Sequence, residues 1–234
     1  GPAEPEVADE TAPPVPLATV AVAAGEGLGA VLRSLGVSEI VRGGQTMNPS
    51  TEELLAACTA ANASQVLILP NNKNVILAAE QVAQLVPDDV SVTIVPTKTV
   101  VQGIAAQLAF NSEESPDENA AAMTEAAETV CTIELTYAVR DSTSGNLAVR
   151  EGEAIALVDD LLVAHGADQI AALRGALDTL ETDDYEVVSV YPGADAEPDT
   201  TDTLVAQLEE WLPLAEIEVT PGGQPHYHYF IGLE

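Results

Sequence analysis

Residues 17–24, 66–69 and 92–95 are apolar runs of single-strand length, and each is followed by a segment whose apolar residues recur every three or four positions. A strand without a polar face must be buried on both sides. Apolar strands alternating with amphipathic helices therefore predict a mostly parallel sheet with helices on both faces. A short strand at 39–41 belongs to the same series. The inward helix stripes are Leu54, Ala57, Cys58 and Ala61, then Val75, Ala78, Ala79 and Val82, then Val101, Ile104, Ala105 and Leu108. Asn48 followed by Pro49 can cap the first of these helices, and Ser50 with Glu53 offers an alternative capping box.

Around 111–119 the composition changes to NSEESPDEN, which marks a lobe boundary. A helix with Met123, Ala126, Ala127 and Val130 on one side comes next. The period then shifts to two. Ile133, Leu135, Tyr137 and Val139 alternate with Thr132, Glu134, Thr136 and Ala138, which predicts a strand with one solvated face. Turn signals at Gly145-Asn146 and Asp159-Asp160 divide further strands at 154–158 and 161–164. Two helices, with stripes Ile170, Leu173, Leu177, Leu180 and Leu204, Leu208, Trp211, Leu212, and strands at 186–191, 216–219 and 226–233 complete the chain.

The expected fold class is α/β. Residues 17–112 form a first lobe with a mostly parallel sheet flanked by helices, and 113–234 an α+β lobe with a mixed or antiparallel sheet. Residues 1–16 stand apart. Gly1-Pro2 reads as the remnant of a cleaved tag, and the acidic, proline-rich stretch behind it is too polar to fold alone, which predicts a disordered linker.

Thirty-eight acidic side chains face seven basic ones, a formal charge of −31. Such a surface repels phosphate backbones and anionic lipids, which makes nucleic acid and membrane poor candidates as partners; no nucleic acid and no membrane insertion are expected. It suits a cytoplasmic protein, and no apolar run reaches transmembrane length. Aromatic residues supply only 3% of the chain, so the core must be built from Ala, Val, Leu and Ile. Cys58 and Cys131 fit no metal spacing, and Cys58 lies on a helix stripe, so it reads as a buried thiol rather than a nucleophile.

Against that negative background, Arg42, Lys73, Lys98 and Arg140 all follow directly on expected strands. Three of them stand in segments rich in amides and hydroxyls. RGGQTMNPS carries Gln45, Thr46 and Asn48; PNNKN carries Asn71, Asn72 and Asn74; PTKTVVQG carries Thr97, Thr99 and Gln102. Ligands of open parallel sheets bind outside the carboxyl ends of the strands. A lone cation there would cap a strand or aid solubility, but three such loops in succession point to a shared rim for a partner or ligand. An anionic headgroup, or the acidic and polar edge of a protein, would fit it.

Other motifs carry less. Gly25, Gly27 and Gly29 form GxGxG rather than GxGxxG, with Glu26 inside the turn, which favours a tight structural turn over a dinucleotide site. His226 and His228, two apart on an expected strand and without a third ligand, read as sheet residues rather than a metal pair. A P-loop, a nucleophile elbow and a kinase catalytic signature are all missing from the sequence, so no catalytic residue and no metal site is assigned.

In this order, RGGQTMNPSTEE from Arg42, LPNNKNVILAAEQ from Leu69, VPTKTVVQGIAAQLAF from Val95, YAVRDS from Tyr137 and GGQP from Gly222 resemble the C-terminal domain of FakA-like bacterial fatty acid kinases, a dihydroxyacetone-kinase-like family. The similarity runs from residue 17 onward; Val101 stands where proline is common. It implies a noncatalytic module that docks a FakB-like fatty-acid-carrying protein, with Arg42, Lys73, Lys98 and Arg140 supplying charge. A separate N-terminal domain holding ATP and magnesium, followed by a middle domain, would precede it in the same protein and phosphorylate the fatty acid to an acyl phosphate for phospholipid synthesis. This part would then need no cofactor and be inactive as a kinase by itself. The alternative is a small-molecule or phosphorylated-metabolite site in the same strand-end crevice.

Overall fold

A computed structural model describes residues 13–44 and 48–234. The first half runs β1 (Val15–Ala23), α1 (Glu26–Ser34), β2 (Glu39–Arg42), α2 (Thr51–Ala60), β3 (Ala63–Leu69), α3 (Lys73–Val82), β4 (Ser91–Ile94), α4 (Val100–Leu108) and α5 (Pro116–Glu128). The strands pair in parallel in the order β2-β1-β3-β4. Successive side chains of a strand point to opposite faces, and β1 is apolar on both. Ala18, Val20 and Val22 pack with Leu54, Cys58, Val75 and Val82 of α2 and α3, whereas Leu17, Ala21 and Ala23 pack with Leu28 and Leu32 of α1 and Ile104 of α4. The expected parallel α/β layer is present.

The second half contains β5 (Cys131–Tyr137), β6 (Ser142–Ser144), β7 (Leu147–Val149), β8 (Ala154–Val158), β9 (Leu161–Gly166), α6 (Gln169–Leu177), β10 (Val187–Pro192), α7 (Pro198–Trp211), β11 (Glu216–Val219) and β12 (Tyr229–Leu233). Six strands form a mixed sheet in the order β11-β10-β12-β5-β8-β9, antiparallel except for β10 with β11; β6 and β7 make a separate hairpin. Ile133, Leu135, Tyr229 and Ile231 pack one face of this sheet against Leu173 of α6 and Leu204 and Leu208 of α7.

The opposite face is not solvated. Thr132 is 0% and Glu134 1% exposed, because α4 lies across β5 and β12. A Cβ at Gly232 would stand 2.5 Å from the Val101 side chain, so the backbones of β12 and α4 approach closely. Helix α4 is consequently buried around most of its girth, with Val100, Val101, Ile104, Ala105 and Ala106 all enclosed. The period-two signal of β5 was real, but its polar face meets a helix instead of water. Leu108, placed on the inner stripe by spacing, is exposed because it lies on the last turn of that helix.

Three local differences bear on the site. Helix α2 begins at the Ser50–Glu53 capping box, with Ser50 N–H donating to Glu53 Oε2 at 2.7 Å, so Asn48 and Pro49 lie before it. Helix α5 packs against α4 and adds Met123 and Ala127 to the core between the two sheets, while the buried Asn119 amide ties the 111–115 loop to its first turn. Val15 and Pro16 belong to β1, and residues 1–12 lie outside the described residues. Among the described residues, no helix is long and apolar enough to cross a membrane.

Candidate functional site

Strand β1 connects first to β2 on one side and, after β2 and α2, the chain returns to β3 on its other side. The switch point of the parallel sheet therefore falls between the carboxyl ends of β1 and β3, where the diverging connections leave a crevice. Asn71 bolts this point together. Its backbone is left-handed (φ 56), its Nδ2 donates to Val22 O at 2.9 Å, and its Oδ1 accepts from the Thr97 hydroxyl at 2.8 Å. Its own N–H donates to the same Thr97 oxygen at 3.0 Å.

Much of the amide and hydroxyl set read from the sequence is committed inside the fold in this way. Asn72 caps α3 by accepting from Asn74 N–H at 2.8 Å. Thr99 caps α4 by accepting from Gln102 N–H, and its hydroxyl lies 2.8 Å from that of Thr132 on β5. Gln102 Oε1 accepts from Lys98 N–H at 2.9 Å. Spacing identified these groups as hydrogen-bonding; it could not show that neighbouring loops already satisfy them. Asn48 and Asn74 are exposed, and Gln45 and Thr46 lie outside the described residues.

The cations divide in three. Arg42 at the end of β2 and Lys98 before α4 are exposed on the carboxyl edge of the parallel sheet, without an ion-pair partner among the described residues. Lys73 starts on the same edge but reaches across to Asp160 in the β8–β9 turn, whose hydrogen bond and charge raise its pKa. Arg140 lies beyond β5 on the segment leading to β6, within the other lobe.

The lobes also meet at the start of α1. A Cβ at Gly27 would overlap the carbonyl of Pro221, and one at Gly25 (φ 100) would crowd Gly222 and Gln224, so these glycines permit backbone to pack on backbone. Leu28 N–H donates to Gly222 O at 3.0 Å. The GxGxG turn is thus a docking point for the 221–224 segment, which occupies the ground a dinucleotide pyrophosphate would need.

Between these contacts remains a cavity of about 360 Å³. Val22, Ala23, Leu28, Val100 and Phe230 make its apolar wall; Arg42, Glu26, Gln224 and His226 add polar groups. The sequence reading missed the second lobe's share of it, for which the Gly222-Gly223-Gln224 run was the available signal. His226 adopts φ 70 ahead of β12 rather than standing in a strand, and His228 packs edge-on against Tyr137 with centroids 5.0 Å apart. Among the described residues no group of three His, Cys, Asp or Glu could hold a metal.

Residues 18–234 match the FakA-like C-terminal family of fatty acid kinases. An uncharacterized protein of Staphylococcus aureus strain MRSA252 is 36% identical over 220 residues, covering 94% of this chain and 40% of that one. The chain thus spans about two fifths of the length of the curated relatives it matches. Among solved structures, the Streptococcus pneumoniae fatty acid kinase (Fak) B3 protein loaded with linoleic acid is similar with a TM-score of 0.61 at 11% identity, over 94% of this chain and 99% of that one. Dihydroxyacetone kinase of C. freundii gives 0.59 at 12% identity, over 94% and 48%. At these identities the likeness to the two structures is one of fold.

Proposed function

The chain belongs to the FakA-like C-terminal family of fatty acid kinases, and on that footing we propose that it is the docking module for a FakB-like protein carrying a fatty acid. The observation that carries this reading is the pair of exposed cations, Arg42 and Lys98, without ion-pair partners among the described residues, on one sheet edge of a chain with formal charge −31. In so negative a body a cationic rim is a place where an acidic partner meets least repulsion, and rim charges act chiefly on encounter rate and orientation. Lys73 contributes less directly, since Asp160 already engages it. Arg140 would act as a second, separate contact. Phosphorylation of the presented carboxylate would fall to an ATP- and magnesium-binding domain elsewhere in the kinase.

Calorimetry of the chain with the acyl-loaded FakB-type protein of the same organism tests this. A complex with Kd of about 10 µM or tighter is expected, weakened about tenfold by the double substitution Arg42→Glu, Lys98→Glu and by added salt. Absence of heat and of a co-eluting complex at about 50 µM of each protein rejects docking.

A further inference from the structure

The face of the six-stranded sheet that α4 covers is not covered to its end. Across the strands, Leu157 pairs with Glu134 and Leu162, and Ile155 with Thr136 and His165. Directly paired residues point to one face, so these side chains continue the face on which Thr132 and Glu134 are buried. Helix α4 lies across β5 and β12, whereas α6 packs β8 and β9 from the other side, through Ala154, Ala156 and Ala164. Ile155, Leu157 and Leu162 are half-buried, and among the described residues they join none of the three apolar cores.

We propose that this open sheet face is the apolar centre of the docking surface, seated against the same acyl-carrying protein that meets Arg42 and Lys98. The inference rests on the docking reading and adds to it a contact on the second lobe.

Continuity with the cationic rim is the first argument. Lys73 starts on the carboxyl edge of the parallel sheet and ends at Asp160, in the turn that joins β8 to β9. Glu134, opposite Leu157 on β5, is close enough to add to the electrostatic hold on Lys73. A partner resting on the strand-end cations is therefore in reach of β8 and β9 as well.

Charge is the second argument. Ala154–Val158 and Leu161–Gly166 hold no Asp, Glu, Lys or Arg, in a chain where 19% of residues are charged. The carboxylates at the two ends of the face are engaged. Lys73 holds Asp160, while Glu153 accepts from Arg150 N–H at 2.8 Å and stands 3.3 Å from His165 Nδ1. An uncharged apolar patch beside a charged rim is the pattern of a protein interface. An acidic partner meets little repulsion here, although the body carries −31. A second copy fits less well, because a twofold contact would set the cationic rim against itself.

Methyl NMR of Ile155, Leu157 and Leu162 in the full chain, as acyl-loaded FakB-type protein of the same organism is added, tests this without any substitution. All three signals are expected to shift or broaden with the midpoint of the calorimetric complex. The double substitution Ile155→Thr, Leu162→Thr keeps one β-branched residue and adds another, so the strands retain suitable side chains. It should weaken the complex about tenfold, mainly by faster dissociation, and leave its salt dependence unchanged. Arg42→Glu with Lys98→Glu should instead change the association rate and the salt dependence. If the double variant fails to fold, the methyl signals of the unsubstituted chain still decide. A complex that leaves these methyls unmoved, or whose affinity the folded double variant keeps, rejects this surface and leaves docking at the cations standing. Shifts of the same methyls with chain concentration alone, together with a dimer in sedimentation at about 50 µM, would assign the face to a second copy and overturn the proposal. No complex at all rejects the docking reading, and this inference with it.

Discussion

Gly103 of α4 leaves open the space that the Asn71 side chain fills: a Cβ at position 103 would overlap the Asn71 amide oxygen. That amide joins the ends of β1 and β3 to Thr97, so the packing of one helix residue decides whether the switch point can close.

Gly103→Ala is expected to destabilise the chain by about 2 kcal/mol, because overpacking against a hydrogen-bonded side chain outweighs the gain of about 1 kcal/mol in helix propensity. In a domain of this size the thermal midpoint should fall by roughly 4–8 °C. An unchanged or higher Tm would show that Asn71 can move aside freely.

Asn71→Ala loses both the hydrogen bonds and a residue type tolerant of left-handed backbone. Asn71→Gly loses only the bonds. Urea titration should therefore find the alanine variant weaker than the glycine variant by about 1 kcal/mol. Equal stabilities would mean that the positive φ is relaxed at little cost.

Thr99 and Thr132 share a hydrogen bond across the lobes, and both are buried. Thr99→Val also removes the α4 cap, worth about 1 kcal/mol, so the single variants should differ. A double-mutant cycle with Thr132→Val should give a coupling of about 1 kcal/mol, since each single change orphans the remaining hydroxyl. Additive effects would remove this bond from the account of how the lobes are joined.

The Lys73–Asp160 pair behaves differently because the lysine is exposed. Its folded pKa is raised, so its contribution is fully present below the unfolded lysine value and is lost as pH climbs through the folded one. Lys73→Met should lower Tm slightly at neutral pH and low salt, and the difference should fade toward about 1 M salt, where the screening length is about 3 Å. A deficit that persists in high salt would assign the effect to the lysine stem rather than its charge.

Burial pushes the thiols of Cys58 and Cys131 up to about 11, with Asp159 adding to the second. Neither forms appreciable thiolate near neutrality, so a disulfide reagent at pH of about 8 should leave the folded chain largely unmodified and react with both residues in denaturant. Rapid labelling of the native state would contradict the buried-thiol reading of Cys58.

The elements of the first lobe were readable because their cause is local. An apolar run such as 66–69 has no polar face to show water, and the stripes of α2 and α3 recur at helical spacing, so both announce their burial within a few residues. Much of the site was not local. The same Asn, Thr and Gln side chains that could serve a ligand could equally serve a neighbouring loop, and Asn71, Thr97 and Thr99 do so.

From the chain order alone came the alternation of strand and helix, the change of character near 111–119, the family likeness and the sparse cations at strand ends. Tertiary structure alone decided that α4 lies between two sheets, that Thr132 and Glu134 are dry, and that the 221–224 backbone seals the start of α1 beside an apolar cavity. The reason is range: periodicity reports which face of an element avoids water, but not which distant segment arrives to cover it.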